Sequence, residues 1–367
     1  KRALELNPYD LKGSFKYTVR YKKITTHFGL GGVHGARKDI YTSNDEYVIM
    51  SSDVTSFYPN LAIRNKWAPG HLPKQEFCDQ YEWFFNERKK IPKSDPRNYV
   101  YKIVLNSTYG LSNDENSFLY DPELTMRITL NGQLSLMMLY EMICEGIPNA
   151  IPLMHNTDGL ETRIPRKYVD KYMEICKQWE DITNLQLEHD TYQKVVLADC
   201  NNYIAQTEGA NFKTKCKGRF VFDDLPLHKN KSFLCVRKAI YDYFIKGIEP
   251  EVSIKENKNI FDFCGGKKAN AGWEYWSEYI TQGQHKKDKL QKTVRYYISN
   301  KGSKLMKINY LDERVSQVEA GKWLQTVFID HIEKPFEEYN INYDFYIKKV
   351  KREIELLEPN KNQLQLF

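Results

Sequence analysis

From Tyr47 to Val54 apolar and β-branched residues run together, and the run delivers Asp53 just ahead of a Tyr58-Pro59 turn. That pattern predicts a strand with an acid at its tip. Between Gln75 and Tyr109 the period turns helical in two segments, parted by Ile91-Pro-Lys-Ser-Asp-Pro, whose prolines stop one helix and let the next begin. A helical hairpin is expected there. Apolar positions recur at helical spacing from Pro122 to Cys144, predicting a long helix with Gly146 as its C-cap. The chain then reads strand, turn, strand: Ala150-Ile-Pro-Leu-Met-His, Asn156-Thr-Asp-Gly, Leu160-Glu-Thr-Arg-Ile. This predicts a hairpin that presents Asp158. A helix from about Arg166 to Trp179 follows, then strands over Leu185 to His189 and Lys194 to Gln206. The order suits an α+β fold, an antiparallel sheet backed by helices. From about Lys231 onward, richness in Lys, Tyr and Glu predicts a mostly helical region, and Pro359 to Phe367 reads as a flexible tail.

Composition narrows the class without naming an activity. The 367 residues are 41% hydrophobic, enough for a packed core in each of roughly two or three units. A formal charge of +6 and a pI near 8.7 suit an acidic polymer as partner, and many unrelated partners besides. Seven cysteines, an odd number with no Cys-x-x-Cys pair, fit free thiols in a reducing compartment better than disulfides or structural zinc. No signal peptide is expected, and no apolar run nears the roughly 20 residues of a membrane span. A soluble, cytoplasmic protein is expected. Lys1 in place of Met suggests numbering that begins inside a longer product or after a removed segment.

Two carboxylates, Asp53 and Asp158, can frame a site for two divalent ions, because Mg²⁺ takes few carboxylates when phosphate oxygens complete its octahedron. Each alone would be read as a solvated turn residue. Lys102, Asn106 and Tyr109 fall at i, i+4 and i+7, so they line one helix face and offer a cation, an amide and a ring to one ligand. A plain amphipathic helix is the bland alternative. Arg88 ends the preceding helix with Lys89, Lys90 and Lys93 close by; these are cations for a triphosphate, or merely charges that complement a helix C-terminus. Backbone N–H groups of Thr55, Ser56 and Phe57, where strand turns into helix, can cradle a phosphate. Glu161 is either a third carboxylate or a solvated hairpin side chain, and the solvated reading is expected.

The stretches Asp53-Val-Thr-Ser-Phe-Tyr-Pro-Asn, Lys102-Ile-Val-Leu-Asn-Ser-Thr-Tyr-Gly and Asn156-Thr-Asp-Gly resemble, in order and spacing, motifs A, B and C of the family B DNA-dependent DNA polymerases. Those motifs read Asp-x-x-Ser-Leu-Tyr-Pro-Ser, Lys-x-x-x-Asn-Ser-x-Tyr-Gly and Asp-Thr-Asp. The resemblance runs from about Gly29 into the C-terminal third. Motif B matches at every fixed position, motif A departs at Phe57 and Asn60, and motif C has Asn156 where its first Asp is usual. The resemblance implies a polymerase right hand: an antiparallel palm sheet backed by helices, short helical-hairpin fingers and a helical thumb. Residues 1–74 would hold the Gly-rich template loop and motif A, 75–110 the fingers with motif B, 111–230 the palm with motif C, 231–358 the thumb, and 359–367 the tail. It further implies a bacteriophage-like enzyme of the host cytoplasm that extends a primer on template DNA with dNTPs. Two Mg²⁺, or Mn²⁺ in their place, would sit on Asp53 and Asp158 and weakly on Asn156. Lys102 and Arg88 would neutralise the triphosphate, Asn106 would order the site, and Tyr109 with Gly110 would pack on the nascent base pair. Tyr58, alternatively a core tyrosine, would exclude a 2′-hydroxyl.

Upstream, Gly29-Leu-Gly-Gly-Val-His-Gly-Ala resembles the family's Tyr-x-Gly-Gly template region, which makes Gly31 and Gly32 DNA contacts. Lys213-Thr-Lys-Cys-Lys-Gly-Arg-Phe resembles the Lys-x-Tyr primer motif, with Phe220 for Tyr, and Lys215, Lys217 and Arg219 read as phosphate contacts. The terminal Gln363-Leu-Gln-Leu-Phe resembles the bacterial sliding-clamp peptide Gln-Leu-x-Leu-Phe. Leu364, Leu366 and Phe367 would fill apolar pockets and Gln363 would set orientation. The interval from Pro59 to Lys102 is too short for the insertions of protein-primed relatives, so processivity is expected from a clamp. No Asp-x-Glu pair precedes Asp53, so an exonuclease is expected in a missing region or a separate chain. Asn156 keeps an alternative open: a catalytically weak or inert, clamp-tethered protein that binds primer–template DNA.

Overall fold

The structure is a computed structural model that describes residues 16–210, 212–223, 232–319, 325–329, 331–332 and 334–358. The chain divides into two compact units, Lys1–Lys215 and Cys216–Phe367. Both mix helices with antiparallel sheet, so the α+β expectation holds at that level.

In the first unit the strands are β1 (Lys16–Tyr21), β2 (Ile24–Gly29), β3 (Val33–Ala36), β4 (Asp39–Thr42) and β5 (Tyr47–Val54). The helices α1 (Phe57–Arg64), α2 (Lys74–Lys89), α3 (Pro96–Leu111) and α4 (Pro122–Gly146) come next. Then follow β6 (Ile151–Asn156), β7 (Gly159–Pro165), α5 (Val169–Thr183), β8 (Leu187–Asp199), β9 (Asn202–Thr207) and β10 (Thr214–Cys216), which ends at the division between the units. The sheet runs β1-β2-β3-β6-β7-β5-β8-β9-β10, with β4 added on β8. β5 is central, paired antiparallel to β7 and β8.

Alternation along β5 sorts its side chains to two faces. Val48, Met50 and Val54 enter a core with Leu61 of α1, Ile128, Leu136 and Tyr140 of α4, and Tyr172, Ile175 and Trp179 of α5. Ile49 enters a second cluster with Leu153, Tyr192, Val195 and Tyr203. Ser51 and Asp53 share the parity of Ile49, so Asp53 belongs to the face away from the helices. Ser52, of opposite parity, is gripped by Tyr172 Oη at 2.7 Å and His189 Nδ1 at 2.8 Å, which fixes the strand just before the acid.

The helical hairpin is α2 and α3. Pro96 opens α3 behind Asp95, whose side chain caps it by accepting from the Arg97 N–H, and Tyr81 of α2 donates to the Leu105 carbonyl of α3 at 2.7 Å. Gly146 is no C-cap: it is the last residue of α4, without positive φ, and a Cβ there would meet Ile175 Cδ1 at 2.6 Å. It lets α5 approach.

The second unit corrects the expectation of a helical thumb. Helices α6 (Leu234–Tyr241), α7 (Pro250–Glu256) and α8 (Tyr343–Leu357) flank seven strands among the described residues: β11 (Gly265–Lys268), β12 (Trp273–Thr281), β13 (Gln284–Lys289), β14 (Thr293–Ser299), β15 (Lys304–Asn309), β16 (Val315–Gln317) and β17 (Gln325–Phe328). They form a β11-β14-β17 sheet and a β13-β12-β15-β16 sheet. The Lys, Glu and Tyr content that suggested helix serves cross-strand pairs instead. Lys287 meets Glu278 and Lys289 meets Glu274 between β12 and β13, while Tyr275 and Ser277 are buried at period two. Gln282 and Gly283, both at positive φ, make the two-residue turn. α8 docks through Tyr346, which donates to the Phe263 carbonyl and accepts from the Ile298 N–H, both at 2.8 Å. Among the described residues no helix is long and apolar enough to cross a membrane. Residues 359–367, with Gln363, Leu364, Leu366 and Phe367, lie outside the described residues.

Candidate active site

β5 and β7 bring the two acids to one end of the sheet. Asp53 pairs with Gly159 across the strands, and the Val54 N–H donates to the Asp158 carbonyl at 2.7 Å. A Cβ at Gly159 would fall on Asp53 Oδ1, so glycine there is what lets the carboxylate lie over the neighbouring strand. Partial burial pushes the Asp53 carboxyl up; Lys215, its Nζ 3.9 Å from Oδ2, pulls it down, and Asp158, Asp190 and Glu188 push it up again. Like charges gathered in half-buried surroundings favour a bound cation.

The turn that carries Asp158 is strained and clamped. Thr157, β-branched, stands at φ 53°, and the Asp158 N–H closes back on the Asn156 carbonyl at 2.5 Å. Thr157 donates its N–H to the Val33 carbonyl at 2.9 Å, and its Oγ1 lies 3.1 Å from His34 Nε2. Gly32 packs against the same threonine, where a Cβ would meet Oγ1 at 2.9 Å. The Gly-rich segment therefore buttresses the motif C turn.

The segments around Tyr58 and Tyr109 also meet. The Tyr58 and Tyr109 rings lie 4.7 Å apart, the Tyr58 hydroxyl donates to the Gly31 carbonyl at 2.5 Å, and Gly132 of α4 permits the approach, a Cβ there lying 3.0 Å from Tyr58 Cε1. Arg88 reaches Ser56 Oγ at 2.8 Å and Asn98 Oδ1 at 3.2 Å, which puts its guanidinium beside the β5–α1 turn. The companions expected of Arg88 are engaged elsewhere: Lys93 with Glu188 at 3.0 Å, Lys90 with Glu87 at 2.5 Å, Lys89 over the Phe85 ring at 4.4 Å. Lys102 and Asn106 are exposed on α3 and make no side-chain hydrogen bond or ion pair among the described residues. Gly110 and Gly31 face open space.

Two expectations change. The Thr55 N–H donates to the Gln186 carbonyl at 2.9 Å, so it is not available for a phosphate, and the turn retains Ser56, at φ 46°, and Phe57. Glu161 is not solvated. It is 4% exposed, and burial first, then Asp53, pushes its carboxyl up to about 8, against Lys215 and a 3.4 Å hydrogen bond from Ser51 Oγ. The hairpin pattern hid this because the face away from the helices is itself covered by Tyr192 and Tyr203. Lys215 belongs to the first unit, beside Asp53, while Lys217 and Arg219 belong to the second, where Arg219 pairs with Glu353 at 3.1 Å. His34, Asn98 and Gly132 were missed; a lone histidine, asparagine or glycine carries no local signal of its neighbours.

Among the described residues no group of three or more His, Cys, Asp or Glu is arranged to hold a metal ion. A divalent ion at Asp53 and Asp158 therefore needs oxygens from a bound substrate to complete its shell, which is the habit of Mg²⁺. The donor chemistry fits on those terms. No family model matches this chain, and no curated protein matches it either.

Proposed function

We propose that the chain is the polymerase portion of a template-directed DNA polymerase that adds dNTPs to a primer 3′ end. The observation that carries this reading is convergence: the segments around Gly31, Asp53, Tyr109 and Asp158, each of which resembles a different motif of one family, meet at one end of a single sheet. Segments alike by chance have no reason to do so.

In this reading Asp53 and Asp158 hold the divalent ions, whose bound charge would acidify the primer hydroxyl and steady the leaving pyrophosphate. Arg88, held by Ser56 and Asn98, and Lys102, on a flexible stem, take the triphosphate oxygens. The N–H groups of Ser56 and Phe57 at the start of α1 add donors for the same anion. Tyr58 is held between the Tyr109 ring and the Gly31 carbonyl, so it forms a fixed wall against the sugar and favours deoxyribose. Lys215 stands beside Asp53 for a primer phosphate. The C-terminal peptide recruits a bacterial-type clamp.

Primer extension on a primed single-stranded template with Mg²⁺ tests this. The expected outcome is growth with dNTPs and not rNTPs, its abolition in Asp158→Ala, and longer products when a bacterial clamp is added. A second reading, an inert clamp-tethered binder of primer–template DNA, is favoured by Asn156, an amide where the resembled motif carries an acid. Retained DNA binding with no extension would establish it in place of the first.

A further inference from the structure

Asn156 ends β6 and is the residue on which the Asp158 turn closes. Its side chain is bonded at both ends. The amide nitrogen donates to the Cys200 carbonyl at 2.8 Å and lies 3.5 Å from Asn201 Oδ1, while the amide oxygen accepts from Thr157 Oγ1 at 3.3 Å. Cys200 and Asn201 sit in the β8–β9 turn, which is itself braced: Asp199 accepts from the Asn201 N–H and from Asn202 Nδ2, each at 2.9 Å. Asn156 thus links the end of β6 to a second turn, whereas backbone pairing ties β6 only to β3 and β7.

The geometry points to Asn156 as a positioning residue whose amide, not a carboxylate, is what this site requires. Thr157 is held in a left-handed conformation that β-branched residues avoid, and such strain persists only where the surroundings over-determine it. The surroundings on one side are Val33, His34 and Gly32; on the other they are the Asn156 amide, with the Val54 N–H on the Asp158 carbonyl at 2.7 Å holding the turn one residue further on. An aspartate at 156 has the same shape and no donor. Its oxygen would face the Cys200 carbonyl and Asn201 Oδ1, acceptor against acceptor, and the turn would move away with Asp158 on it. The departure from the motif C spelling is then a built feature of this chain.

The inference rests on the polymerase reading for its kinetic readout and stands on geometry for the rest, so two measurements are paired. In primer extension, Asn156→Asp should lower kcat by about 10- to 100-fold, the scale of a displaced catalytic group, at unchanged dNTP KM, and Asn156→Ala should fall no further. In amide hydrogen exchange without substrate, both variants should speed exchange at Thr157, Asp158 and Asn201 while β5 and α4 keep their protection. If Asn156→Asp matches or exceeds the parent, or lowers the Mg²⁺ concentration needed for half-maximal extension, position 156 is a carboxylate ligand site and the inference fails. Unchanged exchange at the turn overturns it equally. If the parent extends no primer, the polymerase reading fails, and hydrogen exchange alone still decides the role of Asn156.

Discussion

Asp53 and Asp158 lie where strand pairing, a clamped turn and a glycine leave them little freedom, while Lys102 and Asn106 lie exposed on a helix with no side-chain bond to any of the described residues. The two regions carry opposite charges, and under the proposed function the difference follows from what each would do. Carboxylates that share a cation have to be close before it arrives, so repulsion is offset by the fold: Gly159 admits the Asp53 carboxylate, and Lys215 answers its charge. A lysine that meets a triphosphate has the opposite need. Its four-carbon stem finds the anion after binding, so the helix has only to aim it. Arg88 stands between the two regimes, a cation fixed in advance by Ser56 and Asn98.

The sharpest way to break this contrast is Asp53→Asn, which keeps the shape and removes the charge. Extension should fall by about 10³-fold, equivalent to the several kcal/mol that a held cation contributes, while primer–template binding persists. Comparable extension by the variant would show that the crowded end of the sheet holds no cation. Lys102→Ala should act on the other side of the comparison. dNTP KM should rise about tenfold or more through loss of a charge-assisted hydrogen bond. Stability should stay within about 0.5 kcal/mol, since the exposed side chain bonds to none of the described residues. A large drop in Tm would mean that α3 is not the open face described.

The last effect is on stability and concerns Glu161. Its carboxyl is raised from the ordinary 4.5 to about 8, so the folded chain holds a proton that the unfolded chain releases between those values. Stability on this account is full below the lower value and declines as pH climbs toward the upper one. Glu161→Gln should therefore raise Tm at about pH 8 and leave it little changed at about pH 4, measured by thermal unfolding across that range. An equal shift at both ends would place the burden on packing rather than on charge.

What was legible in the sequence was local. β5 with its acid, the α2–α3 hairpin with its prolines, and the hairpin around Asp158 each announced themselves through period and turn residues, and each lies where it was expected. Of the residues read by motif, Tyr58 and Tyr109 meet ring to ring, 4.7 Å apart. The failures were tertiary. β13, Gln284-His-Lys-Lys-Asp-Lys, is exposed along its whole length and shows no alternation, so only its pairing with β12 makes it a strand. Glu161 looked solvated because a strand pattern states which positions share a face, not what covers that face. Gly146 read as a cap because the helix stops there, whereas Ile175 across the interface is the reason for it.

Gly159 and Asp53 occupy one another's space, and the consequence reaches beyond chemistry into how this chain can change. Position 159 cannot drift while the acid stays: a side chain there evicts the Asp53 carboxylate, and the Ser52 carbonyl stands 3.2 Å from the same spot. The glycine is thus a record of the aspartate, kept one strand away.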